Sequence, residues 1–205
     1  MRSRAAASIL ARGGFAEVTS MEGGIRAWKG LVASGAPEAG IAYFPPESSP
    51  SELTALAWLL EDGTKKFYNG IVSGLKNSDA AGLFQDLADA EQRHMETLYQ
   101  IYLGLSGGGE DPRFPETVFP GSAAADYMEG GVEVGKALEW TQGKSPEEIV
   151  EFALSLEVNS YDVYLKMEQR IKDPRAGKMF NSLAEEEKGH LNRLLELFIR
   201  LMTPA

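Results

Sequence analysis

The chain has 205 residues, of which 30 are acidic and 20 basic, giving a formal net charge of −10. That balance argues against a nucleic-acid surface, which needs clustered Lys and Arg, and it suits a protein that draws cations toward itself. There is no cysteine, which excludes disulfides, thiolate-held iron–sulfur or zinc centres and thiol catalysis. No run of about twenty apolar residues marks a membrane span, and the protein is expected to be soluble and cytoplasmic.

Residues 1–36 form a small Gly- and Ala-rich unit. Its opening, MRSRAAASILARGG, is rich in Arg and Ala and free of acids, and by itself would read as a transit peptide. A Pro-rich stretch, residues 37–50, reads as a linker, and residues 51–205 as one helical unit. Apolar residues there recur in steps of three and four, which predicts four long helices at about 51–76, 79–104, 146–171 and 176–202. The stripes carry chemistry as well as core. The second runs Leu87, Glu91, His94, Leu98, and the fourth runs Leu183, Glu187, His190, Leu194. The third includes Glu157, and on the first helix Glu61 lies beside the stripe residue Leu60.

The two hairpins are an internal repeat. A shift of 96 residues lays Glu61 on Glu157, Tyr68 on Tyr164, Phe84 on Phe180, Leu87 on Leu183, Glu91 on Glu187 and His94 on His190. The connection between the halves, roughly 105–145, is long for a bundle and holds a possible short helix near 123–141. A crossover of that length lets helices two and three run parallel.

Each hairpin thus has a glutamate on its first helix and Glu-x-x-His on its second: Glu61 with EQRH at 91–94, Glu157 with EKGH at 187–190. Both spacings are 30 residues (91 − 61 and 187 − 157), with midpoints in the breaker-rich turns KNSD and KDPR. Antiparallel helices rise equally from a turn, so both sets reach one level of the bundle. Residues i and i+3 share a helix face and can bind one ion jointly. Four carboxylates would balance two divalent ions, with neutral imidazoles adding no charge, and this oxygen–nitrogen set suits iron or manganese. A lone Glu-x-x-His is more often a solvated surface pair. Here the only two histidines of the chain both fall in the motif, at matching positions of a repeat and on an apolar stripe. Two metal ions about 3.5–4 Å apart are expected. Tyr68 and Tyr164, two turns after a ligand glutamate, are candidate catalytic or supporting hydroxyls beside the carboxylates.

These residues resemble the rubrerythrin branch of the ferritin-like superfamily over about residues 51–202. The resemblance implies an all-α, ferritin-like four-helix bundle with metal ligands Glu61, Glu91, His94, Glu157, Glu187 and His190. Glu91 and Glu187 would bridge, and Glu61 and Glu157 would be terminal. It further implies a non-haem di-iron oxidoreductase, with Mn or Zn as possible substitutes, that reduces peroxide or oxygen with electrons from an external, rubredoxin-like donor. The same six positions match the ferroxidase centre of bacterioferritin, so iron oxidation with storage or trafficking is the alternative. Rubrerythrins carry a further glutamate three residues after the third-helix ligand; that position is Ser160 here.

Between Arg2 and Pro37, the segments RS, AAASIL, GGF, EVTSMEGGIRAW and SGAP resemble the last third of a rhodanese (sulfurtransferase) domain. That family's catalytic cysteine would fall before Met1, so the resemblance implies no sulfur transfer by this chain. Helical segments near Ser3–Arg12 and Gly24–Ala33 would leave Ile9, Leu10, Ile25, Trp28 and Leu31 without a complete sheet to cover them. This apolar surface is expected to seek the bundle or a second subunit in a homodimer.

Overall fold

In the computed structural model, residues 48–75, 78–120 and 126–203 are described. Helices α1 (Pro50–Val72) and α2 (Ser78–Ser106) make the first hairpin. The crossover then contributes strand β1 (Tyr127–Met128), a 3-10 turn (Glu129–Gly131), strand β2 (Val132–Glu133) and helix α3 (Val134–Thr141). Helices α4 (Pro146–Arg170) and α5 (Pro174–Met202) make the second hairpin. The four long helices expected from the periodicity are present, and the all-α, ferritin-like bundle that the resemblance implies is the observed fold. The rhodanese-like segment, its two helices and its docking surface lie outside the described residues, as does the linker up to residue 47.

Local sequence sets the helix starts. Ser49 and Ser145 each accept a hydrogen bond from the backbone N–H three residues on, and Glu52 and Glu148 reach back to the cap. In both cases proline occupies the first helical position, where its missing N–H leaves nothing unsatisfied. Asp173 with Pro174 does the same for α5. Helix α1 therefore begins at Pro50, inside the predicted linker, and it ends at Val72, four residues short of the expected 76.

The predicted short helix at 123–141 is realised only from Val134 onward. Before it runs an antiparallel ribbon in which Met128 pairs with Val132. Gly130 and Gly131 sit at φ +73° and +69°, a region that side-chain-bearing residues rarely occupy, so a helix cannot pass through them. The ribbon packs onto α1, and its 3-10 turn onto α4. Contact is close because of Gly63 on α1: a Cβ there would lie 2.1 Å from the Tyr127 carbonyl oxygen.

The core has two apolar parts. One gathers Phe67, Phe84, Leu87, Met128, Val150 and Leu194; the other gathers Leu53, Leu60, Leu98, Met167, Phe180 and Leu183. On α1, α2 and α4 the change from one part to the other falls at the predicted glutamates, and on α5 it falls just beyond His190. No helix among the described residues is long and apolar enough to cross a membrane.

Candidate metal centre

All six predicted ligands meet in this polar level. Glu61 stands on α1, Glu91 and His94 on α2, Glu157 on α4, Glu187 and His190 on α5. Their residues are between 0% and 7% exposed, a burial that charged groups avoid unless they are paired. The Nδ1 of His94 lies 2.9 Å from Glu187 Oε1, 3.0 Å from Glu91 Oε2 and 3.7 Å from Glu61 Oε2. The Nδ1 of His190 lies 3.1 Å from Glu157 Oε2 and 3.4 Å from Glu187 Oε2. The two imidazoles stack with centroids 5.3 Å apart.

Donor atoms close enough to share an ion fall into three overlapping sets: Glu61, Glu91, His94 and Glu187; Glu91, Glu157 and His190; His94, Glu187 and His190. Glu91 and Glu187 each belong to two sets, Glu61 and Glu157 to one. One oxygen of Glu187 faces each histidine, which is the disposition a bridging carboxylate needs.

Among the described residues, seven buried polar atoms have no hydrogen-bond partner: both oxygens of Glu61 and of Glu187, Oε2 of Glu91, and both ring nitrogens of His94. Leaving a buried polar atom unsatisfied costs about 1–3 kcal/mol, so seven converging on one compartment need an explanation. His94 Nδ1 is near its carboxylates without being aligned to donate to them. Lone pairs aimed at a common point, in a carboxylate–imidazole set, fit cations of the iron or manganese kind.

The titration behaviour has the same origin. Burial, followed by the charges of Glu129 and Glu91, holds the Glu61 carboxyl well above its ordinary range. Burial and the charge of Glu187 push Glu157 up to about 7. Burial opposes the imidazolium of His190, yet hydrogen bonds to Glu157 and Glu187 and their charges outweigh it and raise the group to about 11. His94 is likewise raised: burial opposes its charged form, but the Glu187 charge and the neighbouring carboxylates of Glu186 and Glu61 outweigh it. Without metal the compartment holds protons where cations would sit.

The supporting shell departs from the symmetry of the repeat. The Tyr68 hydroxyl donates to Glu157 Oε1 across the bundle, through a short hydrogen bond. Tyr164 is equally buried, but no hydroxyl donates to either oxygen of Glu61, so it does not play the matching part. It stacks on Phe180 instead. From outside, half-exposed Glu186 places Oε2 3.4 Å from His94 Nε2, a carboxylate behind a candidate ligand histidine. Sequence reasoning missed Glu129, a fifth buried glutamate, which the crossover brings against the same level.

The family model described as Rubrerythrin matches residues 52–198, which includes all six candidate ligands and stops short of the rhodanese-like segment. Among solved structures, a hypothetical protein from Pyrococcus furiosus is similar at 25% identity with a TM-score of 0.60, over 82% of this chain and 97% of that one. No curated protein matches. The chain belongs to the rubrerythrin family.

Proposed function

We propose that this chain is a two-iron oxidoreductase that reduces peroxide or oxygen with electrons from a separate donor protein. The observation that carries the reading is the convergence of four buried glutamates and two histidines, with donor atoms of Glu61, Glu91, His94 and Glu187 left without hydrogen-bond partners. Glu61, Glu91, His94 and Glu187 would hold one ion; Glu157, His190 and the shared Glu91 and Glu187 the other. Bound iron would supply electrons to an O–O bond, with Mn or Zn as substitutes in binding.

The protein's own part follows from the contacts. Tyr68 fixes Glu157 and keeps an O–H at the edge of the compartment. Glu186 places a carboxylate oxygen 3.4 Å from the outer nitrogen of His94, on the far side of the ring from the compartment. The two apolar parts of the core keep bulk water from the level between them. With no cysteine in the chain, electrons must enter from a redox centre elsewhere, and a rubredoxin-like protein is the kind of donor proposed.

A second reading, iron oxidation for storage or trafficking, draws on Glu186, a carboxylate that spans surface and centre and would suit ion entry. One experiment separates them. Iron-loaded protein mixed with peroxide and a reduced donor should consume many equivalents of peroxide per chain while holding two irons. Iron accumulating far beyond two per chain, with no sustained consumption, would favour storage. A protein that binds no metal after reconstitution overturns both.

A further inference from the structure

Glu129 is not one of the six candidate ligands, yet it is buried to 4% exposure. Thr64 Oγ1 donates to its Oε2 at 2.6 Å. Ser160 beside it favours its charged form, and the charges of Glu91, Glu187 and Glu157 oppose it. Thr64 lies three residues after Glu61 and Ser160 three after Glu157, so both face the same level of the bundle as those ligands. No Lys or Arg among the described residues pairs with Glu129. A carboxylate in that position, beside four others, is unfavourable unless positive charge arrives.

The chain is shaped to bring it there. Gly63 lets the Tyr127–Met128 backbone lie directly on α1. Gly130 and Gly131 turn the ribbon at positive φ, and a Cβ on Gly130 would lie 2.7 Å from Asn159 Nδ2 of α4. The short side chain of Ser160 leaves room between α1 and α4. That room is filled by the Glu129 carboxylate and by a cavity of ≈ 10 Å³, enough for about one water, lined also by Leu60 and Tyr164.

We propose that Glu129 is a fifth carboxylate of the metal centre, delivered by the crossover, whose negative charge favours the more highly charged, oxidised ion pair. The inference rests on the two-metal reading above. Four ligand carboxylates balance two divalent ions; oxidising both ions leaves an excess of +2. With Glu129 counted, the reduced pair carries −1 and the oxidised pair +1, so the added carboxylate stabilises the oxidised state relative to the reduced one.

The test is E129Q, which keeps shape and an oxygen to accept from Thr64 while removing the charge. Iron-loaded wild type and variant are titrated potentiometrically, and zinc content is measured in parallel. E129Q should hold two zinc ions per chain but lose about tenfold in preference for the oxidised pair, a rise in midpoint potential of about 59 mV for one electron. The metal-free variant should be about as stable as metal-free wild type, since the amide fills the same space and still accepts from Thr64. E129A/S160E returns a carboxylate to the same space from α4 and should bring the potential back toward wild type. It also decides the matter if E129Q does not fold. Wild type that binds two ions, with E129Q at an unchanged potential or E129A/S160E still shifted, overturns the role of Glu129 alone. Wild type that binds no ions overturns the centre and this inference together.

Discussion

The seating of the crossover on α1 can be tested with two Gly→Ala substitutions expected to act in opposite directions. Gly63 and Gly82 both lie within long helices, where alanine is favoured over glycine by about 0.8–1 kcal/mol. At Gly82 a new Cβ meets nothing within 4 Å, so that preference should appear undiminished as stabilisation. At Gly63 the Cβ would stand 2.1 Å from Tyr127 O, 2.7 Å from its carbonyl carbon and 2.9 Å from Met128 Cα. Carbon–oxygen contacts close in to about 3.3 Å, so the ribbon must withdraw by roughly 1.2 Å. The colliding atoms are backbone, which cannot rotate aside. Overpacking of this kind costs about 1–3 kcal/mol. Net of the helix preference, G63A should be destabilised by up to about 2 kcal/mol. The two variants should then differ by about 2 kcal/mol, or roughly 4–8 °C in Tm at this chain length. Denaturant unfolding of the metal-free proteins reads this as a change in midpoint at constant slope. If G63A is as stable as G82A, the ribbon does not press on α1 and the delivery of Glu129 described above is wrong.

Three further outcomes bear on the centre itself. Y68F removes the hydroxyl donated to Glu157 and should weaken zinc binding about ten- to a hundredfold by calorimetry, whereas Y164F, which takes no donor from a candidate ligand carboxylate, should change it far less. E91A and E187A should each retain less metal by elemental analysis than E61A or E157A, because Glu91 and Glu187 each belong to two donor sets and Glu61 and Glu157 to one; equal contents in all four would refute the sharing. Metal uptake near neutral pH should release protons, seen as a buffer-dependent binding enthalpy, because Glu157 titrates at about 7 and His190 at about 11 without metal. Both groups are raised by folding. The stability they lend the metal-free protein is therefore present below about pH 4.5 for Glu157 and 6.5 for His190, and is lost as pH rises through about 7 and 11. Metal-free Tm should fall between pH 5 and 8, and saturating zinc should flatten or invert that trend.

What could be read from the sequence, and what could not, divides by range. The six candidate ligands were legible because each hairpin encodes its own half: Glu61 with Glu91 and His94, Glu157 with Glu187 and His190, held in register by equal rise from a turn. Tyr68 shows where that local logic ends. The repeat pairs it with Tyr164 and suggests equivalent contacts, yet the Tyr68 bond to Glu157 spans 89 residues and has no counterpart at Glu61. Glu129 lay further out of reach, since its partner Thr64 is 65 residues away and the crossover has no periodicity to fix a face. Two local signals were present all the same. In Met-Glu-Gly-Gly, two successive glycines permit a turn that other residues resist, and Gly63 interrupts α1 two residues after a ligand, where alanine would make the better helix. Read together they describe a close backbone approach next to the centre, with a glutamate at its tip. Ser160 completes the argument. A small residue where the family carries glutamate looks like the loss of a carboxylate, but space left on α4 can be filled from any element that reaches it. The crossover reaches it, and Glu129 is what it brings.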